Sequence, residues 1–134
     1  MKLMPVTVED TAILVMDRAR DDVKLITSLL EKTGFHVSRS ADQADVIRHC
    51  RTAHDAAPLA IIDTATPELQ IPELLDQIQA ANSSVRVVLI MGADEPESSW
   101  AGKPNVRGHL TRPFRRAQFL GCVLEAAKPL VFTA

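Results

Sequence analysis

The sequence lacks long apolar runs and has little net charge, and each shortage excludes a class of protein. Its longest purely apolar runs are only a few residues, far below the roughly 20 that a membrane-spanning helix needs. Residues 1–5 do not carry the long apolar stretch of a secretory signal peptide. The formal net charge of −2 gives no reason to expect nucleic acid or a membrane surface as a partner. We therefore expect a cytoplasmic protein.

Cysteine is also scarce, since Cys50 and Cys122 are the two in the chain. Both lie in helix-like patterns, and without a secretion signal they are expected to be reduced, buried thiols. No Cys/His spacing supports a metal site at either position. We therefore do not expect a cysteine nucleophile or a cysteine-ligated metal.

The length of 134 residues suits one domain. We expect a lead-in at residues 1–10, a domain at 11–128 and a tail at 129–134. The absence of an effector segment favours a piece of a longer protein.

Apolar runs alternate with helix-like segments along the chain. Apolar runs rich in β-branched residues predict buried strands, and apolar residues at helical spacing predict amphipathic helices. The predicted strands are 11–16, 37–40, 59–62, 85–91 and a short one at 109–110, and the predicted helices are 21–32, 41–53, 73–81 and 117–127. This alternation predicts an α/β fold with a five-stranded parallel sheet and helices on both faces.

Prolines and glycines give finer expectations. Gly34 is a natural helix stop, and Pro72 suits the first turn of a helix. Between the fourth and fifth strands, Pro96, Gly102 and Pro104 predict a short or irregular helix, about residues 96–101. Among the helix residues predicted to face inward are Ala44 and Leu124.

Four residues with chemical interest fall at the carboxyl ends of predicted strands, where open parallel sheets place their function. These are Asp17, Asp63, Met91 and Arg112. Two carboxylates and a cation at one edge could bind a divalent ion or a phosphoryl group. From spacing alone, a purely structural Asp–Arg cluster is the favoured alternative.

The ordered set of motifs resembles the receiver domains of two-component response regulators, which have a flavodoxin-like fold. The matching pieces are ILVMD at 13–17, LAIID at 59–63 with Pro67 four residues on, and LTRPF at 110–114. They cover roughly residues 11–128. The segment RRAQFL at 115–120 further resembles receivers attached to hybrid histidine kinases.

The resemblance implies a phosphoacceptor and a metal site. Asp63 matches the aspartate that accepts a phosphoryl group from a histidine kinase. Asp17 matches the first of two acids that help to bind Mg²⁺, and Ala65 matches the residue whose backbone carbonyl completes that site. The second acidic position is Arg18 here, which removes a ligand and adds a positive charge. We therefore predict weak or absent Mg²⁺ binding.

Three further positions depart from the pattern of the family. Met91 stands where receivers have a Thr or Ser that hydrogen-bonds the phosphoryl group, and a thioether cannot donate that bond. Arg112 stands where receivers have a Lys, and its donor geometry differs. His109 occupies the position of an aromatic residue that changes rotamer on activation.

The departures lead to a structural prediction. Two neighbouring carboxylates each favour an opposite charge within about 4–6 Å. We predict that Arg18, Arg112 or both pair with Asp63 and Asp17 in place of a metal ion. For Arg18, a side chain that points into solvent is an equal alternative. A bidentate pair at Asp63 would occupy the oxygens that attack phosphorus.

The expected function is a signalling module without enzymatic activity. Its expected partners are a histidine kinase, a phosphotransfer protein or an adjacent domain, and a homodimer is a further option. It is either a phosphorylatable receiver or a pseudo-receiver that docks constitutively, and the pocket chemistry favours the second. The alternative is a small flavodoxin-like enzyme or nucleotide-binding domain. No glycine-rich phosphate loop follows any strand, which disfavours it, although fold alone does not exclude it.

Overall fold

The computed structural model describes residues 12–16, 21–40, 42–52, 59–64, 70–92 and 103–127. Five parallel strands form one sheet in the order β2-β1-β3-β4-β5. The strands and helices, numbered in chain order within these ranges, are β1 Ala12–Met16, α1 Asp21–Lys32, β2 His36–Ser40, α2 Gln43–Thr52, β3 Leu59–Asp63, α3 Ile71–Ala81, β4 Arg86–Met91, β5 Val106–Thr111 and α4 Arg116–Ala127. The predicted α/β architecture is confirmed.

Most element boundaries lie within two residues of their predicted positions. The main difference is β5, which runs over the six residues Val106–Thr111, whereas the sequence indicated a short strand at 109–110. Its alternating exposure and its Gly108 weaken the apolar signal from which a strand is recognised. The lead-in, the tail and the predicted short helix at 96–101 lie outside the described residues.

The core has two layers because both faces of the sheet are covered by helices. Side chains of β3 and β4 alternate between the faces, and both strands are buried along their whole length. We call the side covered by α2 and α3 the α2–α3 face and the other the α1–α4 face. The α2–α3 face buries Val46, Cys50, Leu74, Leu75 and Ile78 against Ala60, Ile62, Val87 and Leu89. The α1–α4 face buries Ile26, Leu30, Phe119 and Val123 against Leu59, Ile61, Val88 and Ile90.

Two predictions about inward-facing side chains are wrong. Ala44 is exposed on α2, where Val46 and Cys50 point to the sheet instead. Leu124 is 41% exposed on α4, whose buried residues are Phe119, Val123 and Ala126. Apolar residues surround much of α4, so its sequence pattern does not single out one face.

The predicted ends of two helices are confirmed. Gly34 follows α1 with a φ of 103°, a conformation that glycine adopts without steric cost. The amide of Gly34 donates to Glu31 O and that of Phe35 to Leu30 O, which is the Schellman pattern. Phe35 is buried in the same cluster as Leu30, and this contact directs the chain into β2. Pro72 lies in the first turn of α3, where a missing amide proton costs nothing.

No helix within the described ranges is both long enough and apolar enough to cross a lipid bilayer.

Candidate functional site

An arginine–carboxylate pair lies at the carboxyl edge of the sheet. Asp63 is the last residue of β3 and is only 3% exposed. Arg112 directly follows β5, and its Nη1 donates to Asp63 Oδ1 at 3.1 Å while its Nη2 donates to Oδ2 at 3.0 Å. This two-pronged geometry matches the planar guanidinium to the carboxylate, and both oxygens accept a charge-assisted hydrogen bond. The predicted contact between a guanidinium and Asp63 is therefore confirmed.

Strand β4 sets the distance between the two partners. It lies between β3 and β5, and its residue Ile90 is opposite Asp63. The amide of Thr64 donates to Ile90 O at 3.0 Å, and the amide of Arg112 donates to Met91 O at 2.9 Å. Both segments are thus fixed to successive carbonyl groups at the end of β4. The pair is therefore positioned by backbone hydrogen bonds as well as by its own charges.

Thr64 contributes to this edge and was missed by the sequence analysis. Its Oγ1 donates to Ile90 O at 3.1 Å, in addition to the bond from its amide. The hydroxyl therefore reinforces the junction between β3 and β4 beside Asp63. Its place directly after Asp63 is the sequence signal that could have pointed to it.

Met91 and His109 are the two other described positions that the resemblance assigned to the pocket. Met91 ends β4, is 2% exposed and packs in the cluster on the α2–α3 face. Asp63, in contrast, continues the alternation of Leu59 and Ile61, whose side chains lie on the α1–α4 face. His109 is exposed on the edge strand β5. The remaining positions predicted for the site, Asp17, Arg18 and Ala65, lie outside the described residues.

Asp63 is the predicted Mg²⁺ ligand that lies in the described part of the site. Mg²⁺ needs an octahedral set of oxygen ligands, usually one or two carboxylates and several waters. Here both oxygens of Asp63 already accept hydrogen bonds from a cation. Within the ranges given above, no group of three or more His, Cys, Asp or Glu side chains is placed to hold a metal ion. A divalent ion bound at Asp63 would therefore share that carboxylate with the guanidinium.

The two thiols are free, as predicted, and neither is activated. Cys50 is buried on the α2–α3 face, and burial raises its pKa from 9.0 to about 11. Cys122 is only partly buried, so the prediction of a buried thiol is wrong there, although burial still raises its pKa. Since the thiolate is the reactive form, both side chains are poor nucleophiles near neutral pH.

Comparisons with known proteins agree with this architecture. No protein-family model and no curated protein sequence matches the chain. Among solved structures, FixJ-N aligns with a TM-score of 0.75 and 17% identity over 87% of this chain and 93% of that one. The beryllofluoride-activated NtrC4 receiver domain dimer aligns with a TM-score of 0.73 and 18% identity over 88% of this chain and 96% of that one.

A third similar structure is a response regulator receiver domain protein from Clostridium thermocellum. Its TM-score is 0.71 and its identity 19%, over 87% of this chain and 94% of that one. At such identities the likeness establishes the fold. This chain therefore has the flavodoxin-like fold of receiver domains, as its motifs predicted.

Proposed function

We propose that this chain is a receiver-type signalling domain that works as a pseudo-receiver. Asp63 stands at the phosphoacceptor position, and the guanidinium of Arg112 binds its carboxylate oxygens. The observation that carries the proposal is the bidentate pair at 3.1 and 3.0 Å on a carboxylate that is 3% exposed. Attack on phosphorus needs an accessible carboxylate oxygen and neutralisation of the phosphoryl charge, which Mg²⁺ supplies in most phosphoryl transfers. Here a guanidinium binds those oxygens instead.

The proposal extends to metal and partners. We expect Mg²⁺ to bind weakly, because Arg18 replaces an acidic ligand and Arg112 competes for Asp63. The domain would act through contacts with a histidine kinase, a phosphotransfer protein or an adjacent domain, in the cytoplasm, and not by turning over a small substrate. The NtrC4 receiver dimer is a precedent for a homodimer in a protein of this fold.

The test is phosphorylation by acetyl phosphate with Mg²⁺, followed by intact-mass spectrometry. We expect little or no aspartyl phosphate on the unmodified chain. The variant with both Arg18→Asp and Arg112→Lys restores the acid and the lysine of ordinary receivers, and it should gain phosphate. Addition of Asp63→Asn to that variant should remove the gain, which would assign the modification to Asp63.

The structure also determines which restoring substitution to avoid. Met91→Thr would introduce the hydroxyl that ordinary receivers have at this position, but Met91 packs in the core of the α2–α3 face. Replacing it would remove buried volume and bury a hydroxyl group, so a loss of stability would obscure any gain in chemistry. Arg18 and Arg112 are therefore the better pair to change.

The competing function is an ordinary, phosphorylatable receiver with an unusual pocket. Efficient Mg²⁺-dependent phosphorylation of the unmodified chain at Asp63 would establish it and refute the pseudo-receiver proposal. Saturation by Mg²⁺ at sub-millimolar concentration, followed by NMR, would point the same way. The two measurements are independent, because one follows covalent modification and the other follows metal binding.

A further inference from the structure

An apolar groove lies next to the Asp63–Arg112 pair. Its volume is about 290 Å³, and it runs between α1 and the connection from β5 to α4. Leu25 and Leu29 form the α1 side, while Pro113 and Phe114 contribute from the connection. Arg112 belongs to the lining as well. One side chain therefore contacts both the buried carboxylate and the groove.

The walls of the groove differ in how firmly they are packed. Phe114 stacks on Phe119 with ring centroids 5.9 Å apart, and Phe119 is fully buried. That side is anchored in the core of the α1–α4 face. Leu25, in contrast, is 50% exposed, and the side chain of Arg112 is 21% exposed. Arg112 has several rotatable bonds, and its two hydrogen bonds to Asp63 restrict them.

We propose that Arg112 couples the charge state of Asp63 to the shape of this groove. While the pair is intact, the guanidinium is fixed at Asp63 and the aliphatic part of the side chain lines the groove in one arrangement. When the charge of Asp63 is removed or covered, the bidentate pair is lost and other rotamers become accessible. The groove wall then changes although none of its apolar residues has been altered.

The coupling is reciprocal and does not depend on the proposed function. A change at the groove that displaces Arg112 must weaken its pairing with Asp63 by the same free energy. It requires only that the charge of Asp63 can change, whether by phosphorylation, by protonation or by substitution. Failure of the pseudo-receiver proposal would therefore leave this inference standing.

The experiment follows the methyl resonances of Leu25 and Leu29 by NMR in the full chain. Asp63→Asn removes the charge and nearly preserves the shape, and we expect it to shift both sets of methyl signals. Asp76→Asn is the matched control, because it breaks the exposed pair in which Lys103 Nζ lies 2.7 Å from Asp76 Oδ1. That control should leave the groove signals in place.

A second background separates coupling through Arg112 from a direct effect of the lost charge. Arg112→Met retains an aliphatic side chain without the guanidinium, so adding Asp63→Asn there should shift the groove methyls little or not at all. If Arg112→Met does not fold, Arg112→Lys serves instead and should give a reduced shift. Two results would overturn the inference. One is that Asp63→Asn leaves the methyl signals of Leu25 and Leu29 unchanged, and the other is that it shifts them equally in the presence and absence of the guanidinium.

Discussion

Two arginines lie at opposite ends of the strands of the same sheet, Arg86 at the amino ends and Arg112 at the carboxyl ends. The acceptors of their hydrogen bonds differ in charge. Arg86 begins β4, is 8% exposed and donates to the carbonyl oxygens of Ala126 and Ala127 at 3.3 and 3.0 Å. Arg112 follows β5 and donates to the carboxylate of Asp63 at 3.1 and 3.0 Å. These two acceptors of Arg86 are neutral carbonyls, whereas the acceptor of Arg112 is a carboxylate ion.

The contact of Arg86 is one that a fold needs for its own stability. The last carbonyls of a helix have no partner within the helix, and they carry the negative end of its dipole. α4 has no basic residue in its own last turn, so Arg86 supplies the charge from the sheet. Burial, and secondly the nearby Arg107, lower the pKa of Arg86. An arginine nevertheless stays protonated in proteins.

The contact of Arg112 can be altered chemically, whereas that of Arg86 cannot. A backbone carbonyl has the same charge in every state of the protein. Asp63 loses or changes its charge when it is protonated, modified or substituted. The Arg112–Asp63 contact at the carboxyl ends of the strands can therefore be broken by a change in charge. The contact of Arg86 with the helix carbonyls at the amino ends is permanent.

The largest effect is expected from Arg112→Met. Removing one partner of a buried ion pair takes away a charge that compensates the other, and the free energy of unfolding should fall by about 3 kcal/mol at neutral pH. Urea denaturation measures it. The double variant Asp63→Leu, Arg112→Met should recover most of that loss, because no buried charge remains. A double variant as unstable as Arg112→Met would mean that packing, not charge, gives Arg112 its effect.

A smaller loss is expected from Arg86→Met. One nitrogen, Nη1, donates to both neutral carbonyls, so the loss should be that of one donor group shared between two acceptors, about 2 kcal/mol. Amide exchange should accelerate in the last turn of α4 and stay unchanged around Asp63. Equal acceleration at both edges of the sheet would contradict the separation of the two sites.

Asp63→Asn should cost less than either arginine change, about 1 kcal/mol or less. The side chain of Arg112 is 21% exposed, so its guanidinium can reach water once the carboxylate is gone. The two removals therefore differ: losing the arginine takes a partner from a buried charge, whereas losing the aspartate takes a partner from a charge that can reach water. Urea denaturation of the two single variants, measured side by side, checks this asymmetry. Similar losses in the two would show that Arg112 is as poorly solvated as Asp63.

The sequence sufficed to predict the carboxyl-edge site because parallel strands bring their ends together. Asp63 ends an apolar run and Arg112 follows a weaker strand signal, so their proximity follows from the βα alternation. Their charges then made pairing the expected result. The same periodicity gave the fold, since the strands of the core are continuous apolar runs.

The other edge could not be predicted in the same way. Arg86 lies inside an apolar run, and its partners are carbonyls 40 and 41 positions later in α4. Backbone acceptors leave no trace in a sequence, and the position of α4 over β4 depends on packing. The groove beside Arg112 was missed for a related reason. It depends on how α1 and the connection after β5 are oriented relative to each other, which periodicity does not specify.

The smallest expected effect concerns Arg107. Its substitution should increase the stability of the protein, whereas the substitutions above should decrease it. Arg107 is exposed on β5, and its charge is the second cause of the lowered pKa of Arg86. Arg107→Gln removes that repulsion and should raise the free energy of unfolding by a few tenths of a kcal/mol at low salt. The gain should shrink as ionic strength rises, because salt screens charges near the surface. In an Arg86→Met background the same substitution should bring no gain, since the repelled charge is absent. An equal gain in stability in that background would assign the effect to another neighbour of Arg107. The contact of Arg86 with the end of α4 would then be independent of Arg107.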